Sequence, residues 1–150
     1  MVIQSIAFEE GEMIPKKYTC DDKNVSPPLS WTDIPSDTKS FALIYDDPDA
    51  PVGTWVHWVI YDIPANINSL PENVPTQKIF EDGTKQGIND FRKIGYGGPC
   101  PPGGTHRYFF KLYALDSDLN LNPGLTKSEL LKSIEKHIIL KAILSGKYKR

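Results

Sequence analysis

His57 lies in TWVHWVIYDIP and His106 in THRYFFKL, two runs of β-branched and aromatic residues that read as strands. Side chains alternate along a strand, so His106, Tyr108, Phe110 and Leu112 share one face, with Arg107, Phe109 and Lys111 on the other. The same alternation puts Trp55, His57, Val59 and Tyr61 together on the earlier strand. A third segment, DDPDAPVGT, holds Asp46, Asp47 and Asp49 on a turn stiffened by Pro48 and Pro51. Proline presets its own φ and restricts the residue before it. Where these segments meet, they supply a carboxylate, two imidazoles and a phenol. That set suits the holding of an anion: a carboxylate orients or charges each imidazole, which then donates to an oxyanion, and Tyr108 adds a hydroxyl. The loop GYGGPCPPGG before His106 offers backbone N–H groups that glycine leaves accessible, on a frame that proline keeps from collapsing.

Each feature also has a plain structural reading. A single histidine in a β-protein is most often a satisfied structural residue, and aspartates before proline are ordinary turn formers. Trp55 and Tyr108 fit a core equally well. GGPCPPGG has neither the Walker lysine nor G-x-G-x-x-G spacing, so alone it is a weak phosphate signature. His137 falls late on a helix, where a cation suits the dipole, and reads as structural. A two-His-one-carboxylate metal face from His57, His106 and Asp47 lacks H-x-H or H-E-x-x-H spacing. Nucleophilic catalysis through Cys100 lacks a strand-to-helix elbow.

The elements that must position these residues are mostly strands. FALIYDD (Phe41 to Asp47), TWVHWVIYDIP and RYFFKLYAL (Arg107 to Leu115) are the strongest, with QSIAF a fourth, and thirteen prolines and eleven glycines punctuate the chain. One helix is expected near 126–137. Thr126 and Glu129 form a capping box, and Leu130, Leu131, Ile134 and Ile138 supply the apolar face. The segment IILKAILSGKYKR then returns as a last strand. The 150 residues form a single β-rich α+β domain with no repeat or linker, and 39% hydrophobic content supports a real core. A net charge of −2 argues against general electrostatic binding of nucleic acid or an anionic membrane. The KYKR ending reads as a solvated tail. No signal-peptide pattern or membrane-length apolar run is visible, so a cytoplasmic protein without stable membrane insertion is expected. In a reducing cytosol Cys20 and Cys100 are expected to be free thiols, a disulfide being the alternative in a hyperthermophile.

DDPDAPVGTWVHW followed by NDFRKIGYGGPCPPGGTHRYFFKLYAL closely resembles the phosphatidylethanolamine-binding protein family, also called the Raf kinase inhibitor protein family. The opening YTCDDKNVSPPLSW looks like its bacterial and archaeal branch, and the resemblance runs from about Phe8 to Tyr148. It implies two antiparallel sheets with peripheral helices around a small anion pocket. On this resemblance Asp47 is the pocket carboxylate, with Asp49 and Pro51 in the same turn. His57 is the first pocket histidine and Trp55 an aromatic wall. Gly98 and Pro99 belong to the loop that offers backbone to the anion, and His106 and Tyr108 complete the site. The implied function is non-catalytic, cofactor-free and metal-free binding of phosphate or a phosphorylated headgroup, modulating a protein partner such as a kinase or protease. A homodimer is also implied. Serine-protease inhibition through an exposed loop is the alternative, and metal-dependent hydrolysis a third.

Overall fold

The computed structural model describes residues 1–150, and its elements follow the hydrophobic pattern closely. Strands β1 (Val2–Gln4), β2 (Leu29–Thr32) and β5 (Ser69–Leu70) form a small antiparallel sheet in the order β1-β2-β5. Strands β3 (Ser40–Asp47), β4 (Trp55–Pro64), β6 (Lys85–Gln86), β7 (Thr105–Leu115) and β8 (Ile138–Lys149) form a larger one in the order β6-β4-β3-β7-β8. Every pairing between these strands is antiparallel. The amino-terminal strand lies earlier than QSIAF, since it ends at Gln4. The last strand forms as expected, antiparallel to β7 along its length, but it runs to Lys149 with Tyr148 buried, so the KYKR ending belongs to the sheet and is not a solvated tail. No helix is long and apolar enough to cross a membrane.

β3 is the central strand, and all eight of its residues are buried. Both its faces are covered, which explains a near-continuous apolar run instead of alternation. On one face Phe41, Leu43 and Tyr45 join Trp31, Trp58, Phe110 and Leu112 in a core between the two sheets. On the other face Ala42 and Ile44 join Val59, Tyr61, Leu130 and Ile134 beneath the helix.

Helix α1 spans Lys127–Ile134, and its capping box is formed as read from the sequence. Glu129 N–H donates to Thr126 Oγ1 at 3.2 Å, and Thr126 N–H to Glu129 Oε1 at 2.9 Å. Leu130 and Ile134 are buried and Leu131 packs beside them, but the helix stops short of 137. His137 N–H donates to the Ile134 carbonyl, and Ile138 opens β8 instead of extending the helical face. The His137 ring lies 3.0 Å from Asp116 Oδ1, a surface pairing away from the other two histidines.

Two further features depart from the sequence-based expectation. Cys20 and Cys100 are joined by a disulfide, where free thiols were expected. The chain brings their Cα atoms to 5.4 Å, inside the range a disulfide spans without backbone movement. Bonding residues 80 apart in sequence contributes about 4.5 kcal/mol on a chain-entropy account. The second departure is a β-bulge. In the β3–β4 register Tyr45 faces Trp58 but Asp46 faces Val56, leaving His57 as an extra residue on β4. Simple alternation therefore fails: Trp55 and His57 share a face, while Val59 and Tyr61 turn to the helix side.

Helix and sheet are tied through Asp46, which is fully buried on the helix face. Its carboxylate meets Lys111 Nζ of β7 at 3.0 Å and Lys127 Nζ of α1 at 2.7 Å. Removing both cations strands a buried charge, so Lys111→Met/Lys127→Met is expected to cost about 3–5 kcal/mol. Adding Asp46→Ala to that double variant should recover much of the loss. Urea unfolding of the native, double-variant and triple-variant proteins checks this, and a triple variant no better than the double would refute it.

Candidate functional site

Asp47 closes β3 on the face opposite Asp46, and two donors claim its carboxylate. Asp49 N–H donates to Oδ1 at 2.7 Å, an Asx-type turn that shapes the chain after the strand. His106 Nδ1 donates to Oδ2, also at 2.7 Å. This second bond fixes the ring's tautomer and leaves Nε2 as its free nitrogen. Asp49 itself points elsewhere. Its two oxygens take a forked pair from Arg107, at 2.9 Å from Nε and 2.8 Å from Nη2, plus the Arg107 backbone N–H at 2.9 Å. The Arg107 hydrogen bonds hold the Asp49 carboxyl down to about 2. The pair clamps the Pro48–Gly53 turn against the start of β7.

His57 reaches the site through the bulge. Its Nδ1–H donates to the Gly97 carbonyl at 2.7 Å, and Gly97 N–H returns a bond to the His57 carbonyl at 2.9 Å. The residue is only 3% exposed, and burial pushes its pKa below the ordinary histidine value. It is therefore neutral near pH 7, with Nε2 free. The Tyr108 ring lies edge-on to His57 at 5.3 Å and stacks on His106 at 6.5 Å. Its hydroxyl is fully buried and has no hydrogen-bond partner. Burial, then the charge of Asp47, pushes the Tyr108 pKa up, so the group remains a donor.

These side chains floor a recess of about 210 Å³ whose walls include Pro51, Val52, Trp55, Phe91, Cys100 and Pro102. The wall is mostly apolar and the floor polar, the arrangement of a small-ligand site. Asp47, His57 and His106 do not form a group able to hold a metal ion.

A profile of the family described as phosphatidylethanolamine-binding protein matches residues 4–149. The chain belongs to the phosphatidylethanolamine-binding protein family. Its fold overlays a solved phosphatidylethanolamine-binding protein homologue from Chlamydia trachomatis with a TM-score of 0.91. That protein is 42% identical, with 99% of this chain and 96% of the other covered. The Escherichia coli protein YbcL, described as a new member of the mammalian family, gives a TM-score of 0.88 at 31% identity, over 99% and 98% of the two chains. A UPF0098 protein of Methanothermobacter thermautotrophicus is 51% identical over 150 residues, covering 100% of this chain and 99% of its own.

Of the nine residues that the resemblance assigns to the site, the fold brings six to the recess: Asp47, Pro51, Trp55, His57, His106 and Tyr108. Asp49 supports the recess from behind through Arg107. Gly98 and Pro99 do not line it, and their backbone groups are committed elsewhere. Gly98 N–H donates to Asn24 Oδ1 at 2.8 Å, and the Pro99 carbonyl accepts from Cys20 N–H at 3.1 Å. Gly98 serves close approach, since a Cβ there would fall 2.3 Å from the Tyr18 carbonyl oxygen. A Cβ on Gly97 would sit 2.6 Å from the Phe91 ring, so glycine there lets that ring form a wall. Phe91 itself escaped the sequence reading, although an aromatic alone in the polar turn NDFRK was a signal. It stands edge-on to Trp55 at 5.5 Å and to His57 at 5.3 Å.

The depressed His57 pKa makes stability depend on pH. Below the ordinary value of 6.5 the unfolded chain takes up a proton that the folded ring resists. Stability from this group is complete above 6.5 and is lost as pH falls toward the folded pKa. Urea midpoints measured from about pH 7.5 to about pH 5 should fall in the native protein and stay flatter in His57→Gln. Parallel curves would show that His57 does not carry the effect.

Proposed function

We propose that the protein is a non-catalytic binding module whose recess takes a phosphate or phosphorylated headgroup, and that occupancy tunes a protein partner. One observation carries the reading: the Tyr108 hydroxyl is buried without a partner, on a ring packed against two imidazoles that each keep Nε2 free. A buried donor left unsatisfied costs about 1–3 kcal/mol, which an oxyanion accepting from it would relieve. Once protonated, His57 and His106 each donate from Nε2 while Gly97 and Asp47 hold their other nitrogens. Trp55, Phe91, Pro51 and Pro102 offer apolar contact to the organic part of a phosphoester. A recess of about 210 Å³ fits a headgroup and not an acyl chain.

Because burial depresses the free His57 pKa and a bound anion favours its charged form, binding takes up a proton. Affinity for sulfate, whose own charge is constant in this range, should rise as pH falls from about 7.5 to about 5.5. Calorimetry with phosphate, phosphoethanolamine and sulfate tests the site. Tyr108→Phe should weaken phosphate about ten- to a hundredfold, the worth of one hydrogen bond to a charged group. No heat at millimolar ligand, or an unchanged affinity in Tyr108→Phe and His106→Ala, would refute the reading.

One observation favours serine-protease inhibition as a second reading. Val52 stands 80% exposed on the turn that the Asp49–Arg107 pair braces. A preorganised loop loses less entropy on docking. Inhibition of an elastase-like protease that survives His57→Ala/His106→Ala but not Val52→Asp would favour it over anion binding.

A further inference from the structure

The wall made by Cys100, Pro101 and Pro102 is held differently from the rest of its loop. Up to Pro99 the loop is pinned by hydrogen bonds to His57, Asn24 and Cys20. From Gly104 it is pinned again, by reciprocal backbone bonds with Arg150 at 3.1 and 3.2 Å. Between these anchors no backbone group of residues 100–103 makes a hydrogen bond. The tie across this gap is the Cys20–Cys100 disulfide, with Arg150 Nη1 3.3 Å from Cys100 Sγ.

The bond is also reachable. Both half-cystines are partly exposed. Cys100 lines the anion recess on one side, and with Cys20 it lines a neighbouring recess of about 300 Å³ on the other. The disulfide and Phe91 thus form the partition between the two hollows.

We propose that the Cys20–Cys100 disulfide is a redox latch on the recess: closed, it holds the wall in place for ligand, and opened by a dithiol it lets the wall go. The proposal rests on the anion reading of the site. A dithiol's thiolate attacks Cys20 Sγ, the S–S bond breaks, and Cys100 leaves as a thiolate. The guanidinium of Arg150 lies beside that sulfur and stabilises its negative charge, which favours Cys100 as the leaving group. The second thiolate of the dithiol then attacks the mixed disulfide and releases Cys20. The reductant ends as a disulfide having given two electrons, and the two cysteine sulfurs take the two protons it released to water. Freed residues 100–103 gain conformational entropy that ligand must remove again on binding.

Phosphate is titrated into the oxidised protein, the protein reduced with dithiothreitol, and Cys20→Ser/Cys100→Ser. Backbone 15N relaxation at position 100 and at Gly103 is recorded for each without ligand, against the pinned Gly104 as the internal reference. Near-UV circular dichroism confirms a packed core, and the reduced native protein, held below its unfolding temperature, serves if the double variant does not fold. Fast motion at the amides of position 100 and Gly103 on opening the bond is expected, with affinity about tenfold weaker and restored by reoxidation. Unchanged amide relaxation after reduction, or equal affinity with the bond open and closed, would overturn the latch. Binding by no form would instead overturn the anion reading, and the relaxation data would then alone decide whether the bond holds the wall.

Discussion

β3 ends in two consecutive carboxylates, and neither of its faces is open to water. Alternation sends Asp46 toward the helix and Asp47 toward the recess, with 0% and 3% exposure respectively. A buried carboxylate is tolerated only when donors surround it, so each becomes a fixed point to which other elements must come. Lys111 and Lys127 come to Asp46 and bring α1 onto the sheet. His106 comes to Asp47 and aligns the beginning of β7, while Asp49 N–H takes the remaining oxygen and starts the turn that walls the recess. One Asp-Asp dipeptide on a central strand thus fastens the helix on one side and builds the floor of the site on the other.

The recess is polar at its floor because the strand loses its regular pairing there. A regular β4 would have no extra residue opposite Tyr45 and Asp46, and His57 and Trp58 could not both face away from the helix. The bulge lets Trp58 fill the core between the sheets while His57 remains beside Tyr108. Each imidazole is then held by its Nδ1, one on a backbone carbonyl and the other on a carboxylate, and keeps Nε2 free. Rings held this way keep one orientation, and the low dielectric around them strengthens whatever bond they make.

Glycine and proline in the loop after Ile94 have separate tasks. Gly97 and Gly98 let Phe91 and the Tyr18–Asn24 segment pack against the backbone, which turns the first half of the loop into a hydrogen-bonded corner. The second half, Cys100 to Gly103, has no such bonds and depends on a covalent link to a segment 80 residues away in sequence. The stiffness that two prolines give locally does not position a wall. An attachment does.

The main strands, the capping box at Thr126 and the last strand were legible from periodicity and composition, because those signals are local. So was the pairing of His106 with Tyr108, since β7 alternates without interruption across the site. The resemblance on DDPDAP, WVHW, GYGGPCPPGG and THRY pointed to nine positions, and the fold gathers six of them around the recess. Four things were decided only by tertiary structure. A bulge depends on the partner strand's register, so no pattern within β4 could say that Val59 and Tyr61 leave the face of His57. Whether Gly98 gives its N–H to a ligand or to Asn24 depends on a side chain 74 residues away in sequence. Phe91 became a wall because Gly97 lacks a Cβ where the two segments cross. Whether two distant thiols bond depends on the 5.4 Å between their Cα atoms, a distance that exists only once the chain has folded.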